Sequence, residues 1–114
     1  MDKRKDKRFT TQLYVKLNAD SKTARGVLGD VSENGIFIKT NRDIDLDSVI
    51  NIEIFMPEYA DSRLAGIVIR KVDLRDTHRK YGLGIKLTQK DIAYKLLLES
   101  FLNQPETYAA KREA

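Results

Sequence analysis

The feature that most constrains this chain is a period-two alternation of apolar and polar residues, broken at short intervals by polar turns. In Phe9–Leu17, the residues Leu13, Val15 and Leu17 fall on one face while Tyr14 and Lys16 fall on the other. Ile36 and Ile38 alternate against Phe37 in Gly35–Thr40, and Ile50, Ile52 and Ile54 share a face of Val49–Met56. This alternation marks strands with one buried face. Thr23–Val31, the β-branched-rich Leu64–Leu74 and Tyr81–Leu87 complete a set of six strand-like segments. The connections Asn18–Ser21, Asn41–Ser48 and Arg75–Lys80 are polar and turn-like, and Pro57 ends the segment before it. Six short strands joined this way predict a six-stranded antiparallel β-barrel.

One helix is predicted to follow. Thr88 and Asp91 have the spacing of a capping box, and Ile92, Ala93, Leu96, Leu97 and Phe101 then recur at helical spacing. Pro105 stops the helix. The reading divides the chain into a flexible basic arm at 1–8, a barrel with its C-terminal α-helix at 9–103, and a frayed tail at 104–114. At 114 residues the chain suits one domain with a single modest core. It has no cysteine, no apolar run of membrane-spanning length and a charged N-terminus, so the expectation is a cytoplasmic protein without disulfides.

Charge is distributed unevenly. Lys3, Arg4, Lys5, Lys7 and Arg8 stand against Asp2 and Asp6, so the first eight residues carry +3 of a net +4. A protein that coats nucleic acid usually spreads its charge over a face. Here the body is nearly neutral and the positive charge is local.

Three short motifs carry the chemistry. The first is the pair Arg4 and Arg8, whose guanidinium forks can each grip a phosphate or a guanine edge through two bonds. The same residues also read as an ordinary solvated basic terminus. The second is Asp30-Val31-Ser32-Glu33-Asn34-Gly35, between two strands. Asp30 and Ser32 share a face by spacing, and Asn34 and Gly35 tolerate positive φ at a tight turn. A hairpin with local side-chain bonds accounts for this segment equally well. The third is Tyr81-Gly82-Leu83-Gly84, where the glycines read as a barrel corner or bulge and Tyr81 as either a core-edge aromatic or a stacking surface.

In this order and spacing the three motifs resemble the PilZ domain, a bacterial receptor family for cyclic di-GMP. The family pattern is R-x-x-x-R, then D/N-x-S-x-x-G, then an aromatic-Gly-x-Gly strand before a C-terminal helix. Arg4/Arg8, Asp30/Ser32/Gly35 and Tyr81/Gly82/Gly84 match it, and the resemblance covers nearly the whole chain. Many members carry a further arginine beside the pair, where this chain has Lys3 and Lys5 around Arg4, and the aromatic is often larger than tyrosine.

The resemblance implies a non-catalytic receptor whose site is built from Arg4, Arg8, Asp30, Ser32, Asn34, Gly35, Tyr81 and Gly82. Arg4 and Arg8 would clamp phosphates and stack on guanines. Asp30 would accept bonds from a guanine N1–H and amino group. Ser32 would bond a phosphate or a guanine, and Gly35 would allow close approach. Ordering five arm residues costs about 5–10 kcal/mol of backbone entropy. Four charge-assisted bonds return about 6–12 kcal/mol, so arm and loop must act as one site. Lys3 could neutralise the phosphates of a second nucleotide, and two molecules per protein are expected, the second held more weakly. No output domain is recognisable, so the signal is expected to pass by contact with a separate downstream protein.

Two other readings use the same residues. One is a small barrel for single-stranded nucleic acid, with Phe9, Tyr14 or Tyr81 as stacking surfaces. The other is a PilZ-like adaptor that has lost nucleotide binding. A hydrolase built on Asp30 and Ser32 lacks a fixed base, since the sole histidine, His78, sits in a polar turn. Asp43, Asp45 and Asp47 begin like a calcium loop but have Ser48 and Ile54 where Gly and Glu are required.

Overall fold

A computed structural model describes residues 8–57, 60–75 and 78–103. Seven strands and one helix follow in order: β1 (Phe9–Thr10), β2 (Tyr14–Ala19), β3 (Lys22–Val31), β4 (Gly35–Thr40), β5 (Val49–Ile54), β6 (Ser62–Asp73), β7 (Tyr81–Gln89) and α1 (Ile92–Asn103). Every pairing is antiparallel. The order β3-β2-β5-β6-β7-β4 returns to β3 through the β3–β4 pair, closing the predicted six-stranded barrel. Closure removes the sheet edges that an open meander would expose.

The inward faces follow the alternation. Val15 and Leu17 of β2, Leu28 of β3, Ile38 of β4, Ile50, Ile52 and Ile54 of β5, Val68 of β6, and Leu83 and Ile85 of β7 are all buried. Branched aliphatic side chains suit this interior, because they pack well on a pleated surface and lose little rotamer freedom there.

Two elements differ from the sequence reading. The segment expected as one strand from Phe9 to Leu17 is split: β1 pairs with the end of β3 (Phe9 with Val31, Thr10 with Asp30), whereas β2 pairs with its start. Thr11 to Leu13 bridge the gap, with Thr11 N–H donating to the Gly29 carbonyl at 2.6 Å and Leu28 N–H donating to the Leu13 carbonyl at 2.7 Å. The seventh strand is therefore an addition beside the closed barrel.

The helix cap also differs. Thr88 lies within β7, and the N-cap is Asp91, whose Oδ1 accepts from the Tyr94 N–H at 2.9 Å. The same carboxylate accepts from Ser62 Oγ at 2.8 Å and from Arg63 N–H at 2.7 Å, tying α1 to the start of β6. Burial alone would raise the Asp91 pKa, but the bonds from Arg63, Tyr94 and Ser62 outweigh it and hold the group below its ordinary value.

The face of α1 that meets the barrel carries Tyr94 and Leu97, fully or nearly buried, with Leu98 and Phe101 packed beside them. Ile92 and Leu96, expected on that face, are 74% and 49% exposed. The helix bears two apolar stripes, and periodicity alone does not say which one turns inward.

Candidate functional site

The candidate site is an external cleft of about 410 Å³ on the side of the barrel. That volume lies in the range of small-molecule sites. Its floor, from Asp30 to Arg70, is part of one row of residues that runs across five strands. Thr10 of β1 pairs with Asp30 of β3, Asp30 with Phe37 of β4, Phe37 with Gly84 of β7, and Gly84 with Arg70 of β6. The flanking residues Val31, Ile36, Ile38, Leu83 and Ile85 point into the core, so this row points outward.

Two bulges create that row. The β3–β4 register shifts between Leu28 and Asp30, and the β6–β7 register shifts between Val68 and Arg70. Leu28 and Val68 are fully buried. Strict alternation would turn Asp30 and Arg70, two residues further on, into the apolar interior. One extra residue in each strand, Gly29 and Ile69, re-aims both charged side chains to the surface.

The turn between β3 and β4 forms one wall. Ser32 N–H donates to the Gly35 carbonyl at 2.9 Å, Ser32 Oγ donates to the same carbonyl at 3.1 Å, and Gly35 N–H donates back to Ser32 Oγ at 3.2 Å. The turn uses no positive φ at Asn34 or Gly35, contrary to the sequence reading. Gly35 is needed for proximity instead: a Cβ there would lie 3.2 Å from the Ile85 carbonyl oxygen.

Three further contacts hold this turn from outside. The Tyr94 hydroxyl donates to the Ser32 carbonyl, Leu87 N–H donates to the Asn34 carbonyl at 2.9 Å, and Lys90 Nζ donates to the Glu33 carbonyl at 2.9 Å and to Asn34 Oδ1 at 3.3 Å. Tyr94 is fully buried, so its hydroxyl requires this partner.

The opposite wall begins at Arg8, the residue immediately before β1. Phe9 anchors it by stacking on Phe101 of α1, with ring centroids 5.1 Å apart and planes 9° apart. Thr10 Oγ1 donates to Asp30 Oδ1 at 3.4 Å, a long contact.

Among the predicted site residues, the structure gathers Arg8, Asp30, Ser32, Asn34 and Gly35 around this one cleft. Arg4 and Lys3 lie outside the described residues. Tyr81 and Gly82 lie apart from the cleft lining, in the strand positions paired with Thr40 and Lys39. Gly82 has a different place: a Cβ on it would fall 2.2 Å from Phe37 Cζ, so the Phe37 ring lies directly across it.

Phe37, Ile69, Arg70 and Lys86 line the cleft without having been proposed as site residues from the sequence, and Gly84 of the glycine motif joins them. Phe37 left a trace, as an outward aromatic between two inward isoleucines. Arg70 and Ile69 left none, because the bulge that aims them has no sequence signature here. Three cations (Arg8, Arg70 and Lys86) face one acid (Asp30), so the lining favours an anion.

Other candidates resolve differently. His78 is exposed. Asp43 pairs with Lys71 at 2.6 Å, and that hydrogen bond holds the ammonium above its ordinary pKa. Among the described residues no cluster of His, Cys, Asp and Glu could hold a metal ion, and no helix is long and apolar enough to cross a membrane.

The structure is thus a small antiparallel barrel with a cationic cleft between Arg8 and a helix-pinned turn. The chain belongs to the PilZ domain family, whose family model matches residues 2–104. Among solved structures it is similar to the Bacillus subtilis inhibitor of motility, MotI/DgrA, at 12% identity and a TM-score of 0.75, covering 95% of this chain and 53% of that one. It is similar to the PilZ domain with c-di-GMP of YcgR from Escherichia coli at 16% identity and a TM-score of 0.71, covering 98% of both. The K. pneumonia MrkH–c-di-GMP complex matches at 17% identity and a TM-score of 0.71, covering 100% of this chain and 57% of that one. At these identities the likeness is one of fold, and the chain spans about half the length of MotI and MrkH. No curated protein matches the sequence.

Proposed function

We propose that this domain is a receptor for cyclic di-GMP and signals through contact with a separate protein. The observation that carries the reading is the convergence of Arg8, Asp30, Ser32, Asn34 and Gly35, distant in sequence, around one cationic cleft. Arg8, joined by Arg4 from the arm, grips phosphate and stacks on guanine. Asp30, an acceptor on the cleft floor, takes the guanine N1–H and amino group. The Ser32 hydroxyl proton and one of its lone pairs serve the turn, so its larger part is to hold the turn's shape while one lone pair still faces a ligand donor. Tyr81 and Gly82 act from a neighbouring position. Lys3 supports a second, more weakly held nucleotide.

Calorimetric titration with cyclic di-GMP, with GTP and an oligonucleotide as controls, tests the reading. Micromolar or tighter binding of the cyclic dinucleotide alone is expected, about 8 kcal/mol of binding free energy. Comparable binding of the oligonucleotide, falling steeply with salt, would instead indicate a single-strand-binding barrel. Absence of all binding would indicate an adaptor.

A further inference from the structure

Phe37 occupies an unusual setting for an outward residue of a barrel. A Cβ on Gly82 would strike its ring, and a Cβ on Gly29 would lie 3.4 Å from its Cδ2. Glycines on both neighbouring strands thus clear a trough in which the ring lies against the sheet. Gly84, paired directly with Phe37, is bare in turn: a Cβ there would lie 3.2 Å from Arg70 Cβ and 3.6 Å from Arg70 Nε. Across that bare strand Arg70 places its guanidinium carbon over the Phe37 ring, 5.6 Å from the centroid.

Arg70 is exposed, and among the described residues no carboxylate pairs with it. The ring holds the guanidinium without neutralising it, so the full charge remains available to the cleft. A guanidinium on an aromatic face has its second flat face free for another π-system. Three glycines, a ring and a bulge that turns Arg70 outward all converge on this one stacked pair.

We propose that Arg70 is a ligand-contact residue of the cleft, stacking a guanine base on its outer face to build a Phe37–Arg70–base ladder opposite Arg8. This rests on the reading of the cleft as a cyclic di-GMP site. The ladder requires a planar cation. Lysine keeps the charge and loses the plane, so charge and stacking are separable by substitution.

The test is calorimetric titration of the whole chain with cyclic di-GMP, comparing the wild type with Arg70→Ala, Arg70→Lys and Phe37→Leu. Arg70→Ala and Arg70→Lys should both bind about tenfold more weakly, about 1.4 kcal/mol. Phe37→Leu should weaken binding severalfold by removing the seat of the guanidinium. The two Arg70 variants should melt with the wild type, since the residue is exposed. Binding by Arg70→Lys within twofold of wild type would reduce Arg70 to a point charge and overturn the ladder, as would wild-type affinity in Arg70→Ala. Failure of the wild type itself to bind would overturn the reading of the cleft together with the ladder.

Discussion

The two walls of the cleft are held by different amounts of structure. The turn at 32–35 is bonded within itself and to three outside groups: Tyr94 of α1, Leu87 of β7 and Lys90 between them. The arm wall rests on a two-residue strand, the bonds that Thr11 donates to the Gly29 and Leu28 carbonyls, a long contact from Thr10 to Asp30 and the stack of Phe9 on Phe101. The turn is thus preorganised and pays little ordering entropy when a ligand arrives, whereas, among the described residues, the wall at Arg8 has no comparable set of ties to the helix and β7. Helix α1 touches both walls, through Tyr94 at its first turn and Phe101 at its last. The two walls are therefore coupled by one rigid element.

The largest effect that could break this comparison is at Tyr94. Tyr94→Ala should cost about 3–5 kcal/mol of stability, as for other large aromatic truncations in cores, read by denaturant unfolding. Tyr94→Phe keeps the packing but leaves the buried Ser32 carbonyl without its donor, and should cost about 1–3 kcal/mol. A Tyr94→Phe protein with wild-type stability would mean that the turn is held by its own bonds alone.

Asp91→Ala removes the cap of α1 and its ties to β6 and should cost about 2 kcal/mol near neutral pH. The folded pKa of Asp91 is depressed, so the ionised carboxylate's contribution is complete above the unfolded value near 4. It is lost as pH falls through the lower folded value. The stability gap between wild type and Asp91→Asn should accordingly narrow below about pH 4. A gap that stayed constant down to pH 2 would remove the ionised carboxylate from the account.

The barrel was legible because the inward positions of β2, β4 and β5 keep strict alternation, and Asp30, Ser32 and Gly35 were legible as a motif, of which Ser32 and Gly35 close the turn. What the sequence hid follows from departures from periodicity. A bulge at Gly29 looks like a glycine in a strand, and one at Ile69 looks like nothing at all. Arg70 consequently reads as a break in a β-branched run and not as part of a site. The helix face was misread because Ile92 and Leu96 outscore Tyr94 in hydrophobicity, while the decisive term is a tyrosine hydroxyl that reaches a buried carbonyl. The glycines of the Tyr81 motif were read as a barrel corner or bulge, but the β4–β7 register runs through them without a shift, and what Gly82 admits is the Phe37 ring.

The arm wall should behave in the opposite way to Tyr94. Arg8→Ala is expected to lower affinity for cyclic di-GMP at least tenfold, about 1.4 kcal/mol. Because Arg8 is exposed and outside the core, its unfolding midpoint should not move. Normal binding by Arg8→Ala would remove the arm from the site. A matched loss of stability would mean that the arm is part of the fold rather than an adjustable wall.

The smallest effect sharpens the comparison most. Lys90 stands outside the cleft lining and reaches the turn only through its bonds to the Glu33 carbonyl and Asn34 Oδ1. Lys90→Met keeps the aliphatic stem and removes the donors. Exposed bonds of this kind are worth about 0.5 kcal/mol, so affinity should fall two- to threefold and stability should barely change. Two mechanisms predict that same loss and differ in salt. If Lys90 acts by shaping the turn, the ratio of wild-type to variant affinity should be the same at low and at physiological ionic strength. If it acts as a cation near an anionic ligand, the ratio should shrink as salt screens it. The geometry favours the first outcome, since both bonds fall on the turn itself, and a ratio that collapses with salt would assign Lys90 to the electrostatics of the cleft instead.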